Sequence, residues 1–316
     1  MEYRALGRSG LRVSVLTMGT MTFGGTGPFA NVGSTALEEA RRQVDQCLDA
    51  GVNLFDTADY YGATQSEGML GKALGKRRHE AVIATKFGMP LPDQPASGGG
   101  SRRWIMRAVE GSLKRLGTDY IDLYQHHLPD PHTPIDETLR ALDDLVAQGK
   151  VRYVGSSNMM AWRLAEGDWI ARSEHLTRFV SVQNNFSLLA QDALAETAPA
   201  CEHYGIGFLP YFPLARGLLT GKYKRGEAPA AGTRLAKMGE TPEAAKLARV
   251  EVLEAWAQAR GHSVLELAFA WLLAQGVVSS VIAGASNPEQ MRANVAAADW
   301  VLTPEEATEA AELARG

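Results

Sequence analysis

The feature that most limits what this chain can fold into is a rhythm. Eight short apolar runs recur along its 316 residues: VSVLTMGT (13–20), VNLFDTAD (52–59), AVIATKFG (81–88), YIDLYQHH (120–127), VRYVGSSN (151–158), FVSVQNNF (179–186), IGFLPYFP (206–213) and SSVIAGAS (279–286). Each is rich in β-branched and aromatic residues, as a buried strand is, and most end in small or polar ones. Stretches with helical spacing follow most of them, at 34–50, 66–74, 102–116, 134–148, 191–203 and 288–298. Pro134 suits a first helical turn, with Asp136 and Glu137 at the positive helix end. Asn287-Pro288-Glu289 reads as cap, proline, acid. Strand then helix, eight times, predicts an α/β fold, a closed parallel (β/α)8 TIM barrel. An open doubly wound sheet is the alternative. Its glycine-rich turn runs straight into a helix, whereas a loop follows Gly24-Gly25-Thr26-Gly27 here. The opening YRALGRSGLRVS reads as a β-hairpin turning at Ser9-Gly10, a cap for the N-terminal end of the barrel. Composition does not break along the chain, so residues 1–316 read as a single domain.

With 45% hydrophobic and 22% charged residues, the chain can bury a sizeable core. A net charge of −4 leaves no basic footprint and argues against nucleic acid as a partner. Two cysteines, Cys47 and Cys201, point to reduced thiols rather than a disulfide framework. The start, MEYRALGRSG, lacks the apolar segment of a secretory signal, and no 18-residue apolar run offers a membrane span. A cytoplasmic protein with no membrane partner is expected. The sequence does not set the oligomeric state.

In a barrel the C-terminal ends of the strands converge on one mouth. Asp56, Lys86, the pair His126-His127, Ser157-Asn158 and Gln183 all fall at such ends. Contact with solvent explains any one of them but not the set. A lysine closing an apolar strand is costly unless paired, and Asp56 is a ready partner. Tyr61 follows Asp56 by five residues. A free phenol titrates near 10, and a neighbouring ammonium favours its ionised form, so lysine beside tyrosine makes a proton donor. Strand alternation lets only one of His126 and His127 face the axis. Long insertions at 89–101 and 214–240 follow the third and seventh strands, where loops frame a barrel's active site. The second leads to an extra helical stretch, 242–260, before a helix at 264–275. His126, His127, His132 and Asp130 make a poor metal set, because neighbouring histidines on a strand point apart and Pro129 and Pro131 mark a turn. No metal is expected.

These residues carry a resemblance. GVNLFDTADYYGATQSEGMLGKAL, LKRLGTDYIDLYQHH and VIAGASNPEQMRAN resemble, in order, three signatures of the aldo-keto reductases, and the likeness covers nearly the whole chain. It implies the (β/α)8 barrel and a catalytic tetrad of Asp56, Tyr61, Lys86 and one histidine. Members mostly read aspartate-leucine-tyrosine, two residues, then histidine. Counting from Asp122 selects His127 and leaves His126 as a packing or supporting residue. The implied reaction is carbonyl reduction, in which a nicotinamide delivers hydride to carbon and Tyr61 protonates oxygen. Lys86 lowers the Tyr61 pKa, Asp56 fixes Lys86, and His127 orients the carbonyl. Tyr60 is the second candidate phenol.

The resemblance also implies cofactor contacts. Thr20 and Met21 resemble the residues beside the nicotinamide ribose, with Asp56 a further contact. Ser157, Asn158 and Gln183 resemble the carboxamide binders, and Tyr211 the aromatic stacked on the nicotinamide. Pro213, Leu214, Arg216, Gly217 and Lys222 resemble the pyrophosphate strap. Gly284, Ser286, Gln290 and Asn294 resemble the adenosine-phosphate pocket at a helix N-terminus. The chain departs from the aldose-reductase branch, which places lysine and arginine where Gly284 and Gln290 stand. GASNPEQMRAN is instead similar to potassium-channel β subunits, members that bind NADP. Lys222 and Arg292 are candidate sources of positive charge. NADPH is the expected cofactor, with NADH open. The expected partner is a small carbonyl substrate: an aldehyde, a ketone or a sugar-like carbonyl. Phe23, Met89, Trp104 and the loop 214–234 are candidate pocket walls. The chain stops soon after Leu313, without the long C-terminal loop of some members, so a fairly open site is expected. Two other readings are an NAD(P)-dependent sugar or alcohol dehydrogenase and a cofactor-binding regulatory protein like the channel β subunits. The latter typically carry asparagine in place of the histidine.

Overall fold

A computed structural model describes residues 1–25, 31–92, 94 and 96–316. Thr26 and Gly27 of the glycine cluster, and Asp93 and Pro95 of the first insertion, lie outside them. Ten strands are assigned among the described residues: β1 Tyr3–Ala5, β2 Arg12–Ser14, β3 Leu16–Gly19, β4 Leu54–Asp56, β5 Val82–Phe87, β6 Ile121–His126, β7 Val151–Ser157, β8 Ser181–Gln183, β9 Gly207–Phe208 and β10 Val281–Gly284. The helices are α1 Leu37–Asp49, α2 Gln65–Leu74, α3 Arg102–Leu116, α4 Ile135–Ala147, α5 Ala161–Ser173, α6 Thr197–Tyr204, α7 Arg234–Met238, α8 Ala244–Gln258, α9 Val264–Leu273, α10 Pro288–Ala296 and α11 Pro304–Arg315. β3 to β10 form one parallel sheet in the order β10-β3-β4-β5-β6-β7-β8-β9. Its two edges meet. The Phe208 amide donates to the Val277 carbonyl at 2.9 Å, Ser279 to Phe208 at 3.0 Å, and Ile282 to Pro210 at 3.0 Å. The fold is therefore the (β/α)8 barrel that the eight-fold rhythm predicts.

The run 13–20 is not one strand. Val13 and Ser14 pair back to Tyr3 and Arg4 in the hairpin, and the barrel strand begins at Leu16. The run 206–213 yields only Gly207 and Phe208 as strand, because Pro210 and Pro213 have no N–H to give a ladder. Pro134 sits one residue before α4 as its cap, with Asp136 and Glu137 in the first turn as expected. The stretch 191–203 breaks into a 3-10 turn and α6. α5 lacks a clean apolar stripe, since its Trp162 and Trp169 are exposed, and periodicity does not reveal it. α10 opens as expected, with the Asn287 side chain accepting from the Gln290 amide and Pro288 in the first turn.

Apolar residues pack in two places. Between barrel and helices, Val44, Leu70, Ile105, Val109, Leu139 and Leu142 meet outward strand residues such as Phe55, Ile83, Tyr124 and Val154. Inside the barrel, Leu54, Ala84, Leu123 and Leu209 form a floor, sealed from below by Leu6 and Val13 of the hairpin. Two residues further along the same strands, alternation brings Asp56, Lys86 and Gln125 onto the axis. Gly7, at φ 57°, fits the hairpin against β9, where an added Cβ would lie 2.6 Å from the Gly205 carbonyl oxygen. Cys47 and Cys201 are free and buried, and burial pushes both thiols up to about 12. Among the described residues no helix is long and apolar enough to cross a membrane.

Candidate active site

Lys86 lies inside β5 and is fully buried. Its ammonium has three hydrogens and finds three acceptors: Asp56 Oδ2 at 2.7 Å, the Thr57 carbonyl at 2.8 Å and Tyr61 Oη at 3.3 Å. Burial pulls its pKa down, but Asp56 and Tyr61 outweigh this and leave it raised, so the group stays charged. The flanking residues turn outward. Thr85 donates to Glu67 of α2 at 2.6 Å, and Phe87 stacks on His126.

A backbone turn presents Tyr61. Gly62, Ala63 and Thr64 all have positive φ, at 58°, 51° and 78°. At Gly62 an added Cβ would come 2.6 Å from the Phe23 carbonyl oxygen, so glycine is required there. Burial raises the Tyr61 pKa, and Lys86 pulls it down. Burial wins, which corrects the expectation of a net lowering by Lys86. The phenol keeps its proton at neutral pH, beside a fixed cation that stabilises its ionised form. Lys86 donates to Tyr61, while Tyr60 packs against the core and lines the cavity.

His127 follows β6 and turns to the axis. Its ring meets Tyr61 edge-on, with centroids 5.7 Å apart. Burial, then the charge of Lys86, lowers its pKa well below the usual value, so the imidazole is neutral. Its Nδ1 is buried without a partner among the described residues. His126 points away and lies parallel to Phe87 at 5.0 Å. Burial lowers its pKa to about 4. No group of three His, Cys, Asp or Glu residues suited to a metal occurs among the described residues. Asp130 instead accepts from the Gly100 and His132 amides and from Thr133, tying the first insertion to the turn after β6.

A cavity of about 610 Å³ opens over this cluster at the C-terminal mouth. It is lined by Asp56, Tyr61 and His127, and by every residue expected to contact the cofactor: Thr20, Met21, Ser157, Asn158, Gln183, Tyr211, Pro213, Leu214, Arg216, Gly217, Lys222, Gly284, Ser286, Gln290 and Asn294. Lys86 lies beneath, out of reach. Asn158, at φ 55°, links the walls. Its Nδ2 donates to the His127 carbonyl at 3.0 Å, and its Oδ1 accepts from Tyr211 Oη at 2.7 Å. Gln183 Nε2 donates to Asp56 Oδ1 at 2.9 Å. The strap after β9 is left-handed at Phe212, Ala215, Arg216 and Gly217. On the opposite wall, Gln290 Oε1 accepts from the Ser286 amide and Asn294 donates to the Gly284 carbonyl.

Arg234 is a lining residue that sequence reasoning gave only as the end of a wall loop. It lies 5.0 Å over the Phe212 ring, and its Nε is buried without a partner among the described residues. Burial, then the nearby charge of Arg216, lowers its pKa. Arg292 turns to Gln46 of α1 and does not line the cavity. Of the candidate substrate walls, Met89 lines the cavity, whereas Phe23 and Trp104 belong to the core.

Residues 15–315 match the Aldo/keto reductase family. The chain is 38% identical over 317 residues to the "Uncharacterized oxidoreductase YrpG" of Bacillus subtilis, covering 96% of this chain and 93% of that one. It is 37% identical over 320 residues to the "Probable voltage-gated potassium channel subunit beta" of Oryza sativa, with 96% and 94% covered. It is 34% identical over 316 residues to the L-glyceraldehyde 3-phosphate reductase of Escherichia coli, with 94% and 87% covered. The barrel, the buried lysine under a tyrosine at its mouth and these matches agree: the chain belongs to the aldo/keto reductase family.

Proposed function

We propose that this protein is an NADPH-dependent oxidoreductase that reduces aldehyde or ketone carbonyls to alcohols. The observation that carries the reading is Lys86 Nζ, held by Asp56 and set 3.3 Å from Tyr61 Oη at the floor of a cavity. Tyr61 is the general acid that gives its proton to the carbonyl oxygen. Lys86 stabilises the phenolate left behind, and Asp56 fixes Lys86. His127, being neutral, donates a hydrogen bond to the carbonyl oxygen and orients it.

The residues present fit a phosphate-bearing dinucleotide. Arg216, Lys222 and Arg234 line the cavity, and the Nε of Arg234, which has no acceptor among the described residues, suits a phosphate oxygen. Arg216, Gly217, Lys222 and Arg234 would hold the phosphates, and Ser157, Asn158 and Gln183 the carboxamide. NADPH, when bound, supplies the two electrons and the hydrogen that the carbonyl carbon takes. NADH is the weaker candidate, because a wall carrying Arg216, Lys222 and Arg234, with Arg216 also paired to Glu240 at 3.3 Å, favours the more anionic dinucleotide. Run in the other direction, the same groups oxidise an alcohol or sugar. A regulatory role like that of a channel β subunit is disfavoured by His127. We place the protein in the cytoplasm as a single-domain enzyme acting on small carbonyl compounds, without nucleic acid or membrane partners.

The test is oxidation of NADPH and NADH across a panel of aldehydes and ketones. Turnover with NADPH preferred is expected, and Tyr61→Phe should lower kcat by about 10²-fold or more. The rate should stay flat through neutral pH and fall only as pH rises through the raised Tyr61 pKa, above its ordinary value of 10. Full activity in Tyr61→Phe would remove Tyr61 from the role of proton donor.

A further inference from the structure

Gln125 lies in β6, paired in register with Lys86 on one side and Gly155 on the other. It is fully buried and faces the barrel axis, in the same layer as Asp56 and Lys86. Its Nε2 lies 3.4 Å from Asp56 Oδ1, the carboxylate oxygen that Lys86 does not use. The same Oδ1 accepts from Gln183 Nε2 at 2.9 Å. The other hydrogen of Gln183 Nε2 points to Gln125 Oε1 at 3.5 Å. Room for this arrangement comes from Gly155, where an added Cβ would stand 3.3 Å from Gln125 Cγ and 2.4 Å from Ser181 Oγ.

We propose that Gln125 is a positioning residue that fixes Asp56 and Gln183 together, and through them the proton donor and the nicotinamide-binding amide. The inference rests on the reduction reading. An amide presents both a donor and an acceptor, and Gln125 uses one on each neighbour. Its N–H meets the Asp56 carboxylate at the oxygen Lys86 does not use and, with Gln183, opposes a swing of the carboxylate off the ammonium. Its carbonyl oxygen occupies the second hydrogen of Gln183. With both hydrogens of that amide turned inward, the Gln183 carbonyl oxygen is the atom left for a ligand in the cavity it lines. Leucine or methionine would fill the volume but supply neither contact. Glutamate would supply the donor only while protonated.

The experiment compares wild type, Gln125→Met and Gln125→Glu in steady-state kinetics across pH, in solvent isotope effect, and in calorimetric binding of NADP+. Gln125→Met should lower kcat about tenfold, raise the solvent isotope effect and weaken NADP+ about three- to tenfold. Gln125→Glu should approach wild-type kcat at low pH, where its carboxyl donates to Asp56. It should lose activity as that carboxyl ionises, adding a limb to the pH profile that wild type lacks. A role in packing alone lowers Tm and leaves the profile and the isotope effect unchanged, and that result overturns the proposal. If Gln125→Met does not fold, the pH limb of Gln125→Glu decides. If wild type reduces no carbonyl, the reduction reading fails, and NADP+ binding still decides the role of Gln125: unchanged affinity in the variants overturns it.

Discussion

At one end of the cavity Lys86 spends all three of its hydrogens on Asp56, Thr57 and Tyr61, and the cluster stands on strands locked in register. At the other end Arg234 keeps a buried Nε with no acceptor among the described residues, on a long excursion whose preceding strap is left-handed at four residues. The first arrangement is complete without a ligand. The second leaves donor capacity that an incoming anion can use. The contrast is between an ion pair that the fold itself satisfies, beneath the cavity, and an arginine on the cavity wall that keeps a contact in reserve.

The harshest way to break the comparison is to strip the satisfied end. Lys86→Met leaves Asp56 buried without its cation. Removing one partner of a buried ion pair costs about 3–5 kcal/mol, so denaturant melts should show a loss of that size, together with loss of turnover. A loss below about 1 kcal/mol would mean that the pair is not sealed from water as described.

The next effect tests the wall behind the catalytic end. The folded pKa of His126 is lowered to about 4 from 6.5, so the neutral ring favours the fold. That contribution is complete above about pH 6.5 and is lost as pH falls toward 4, amounting to roughly 3 kcal/mol. His126→Phe, which keeps the stack on Phe87, should flatten this stretch of the stability curve. An unchanged slope would assign the acid sensitivity to other groups.

At the ligand-gripping end, Arg234→Ala should weaken NADPH about tenfold, or about 1.4 kcal/mol, with kcat nearly unchanged. A fall in kcat at constant affinity would blur the contrast. Gly217→Ala should be mildest. Its φ of 98° strains any side chain, by about 1 kcal/mol, but the added Cβ would meet the flexible end of Lys222 at 3.3 Å and the Tyr223 ring at an ordinary 3.5 Å. A modest rise in the Kd for NADPH and an intact fold are expected.

Much of this contrast was legible in the sequence, but unevenly. Asp56, Lys86 and His127 stand out because each ends or nearly ends an apolar strand, where a polar residue needs a reason. The alternation that places His127 on the axis also places Gln125 there, so its signal was present: a glutamine two residues before the histidine, inside a strand. Arg234 had no such signal. It sits in an irregular excursion, where direction depends on φ values that sequence periodicity does not carry. The balance at Tyr61 was also hidden, because the burial that outweighs Lys86 is a tertiary property. β9 is shorter than its apolar run because Pro210 and Pro213 have no N–H for a ladder, and closure at that edge falls to single bonds around Phe208 and Pro210.

The N-terminal hairpin, which sets Leu6 and Val13 under Leu54, Ala84, Leu123 and Leu209, acts as a stopper. A stoppered vessel wets from one side. The cavity is the open side of the Lys86 layer, so whatever fills it would also limit the access of water to Tyr61. Hydrogen exchange at this layer should then slow when a ligand occupies the mouth and quicken when the hairpin is loosened, two opposite responses at the same buried hydrogens.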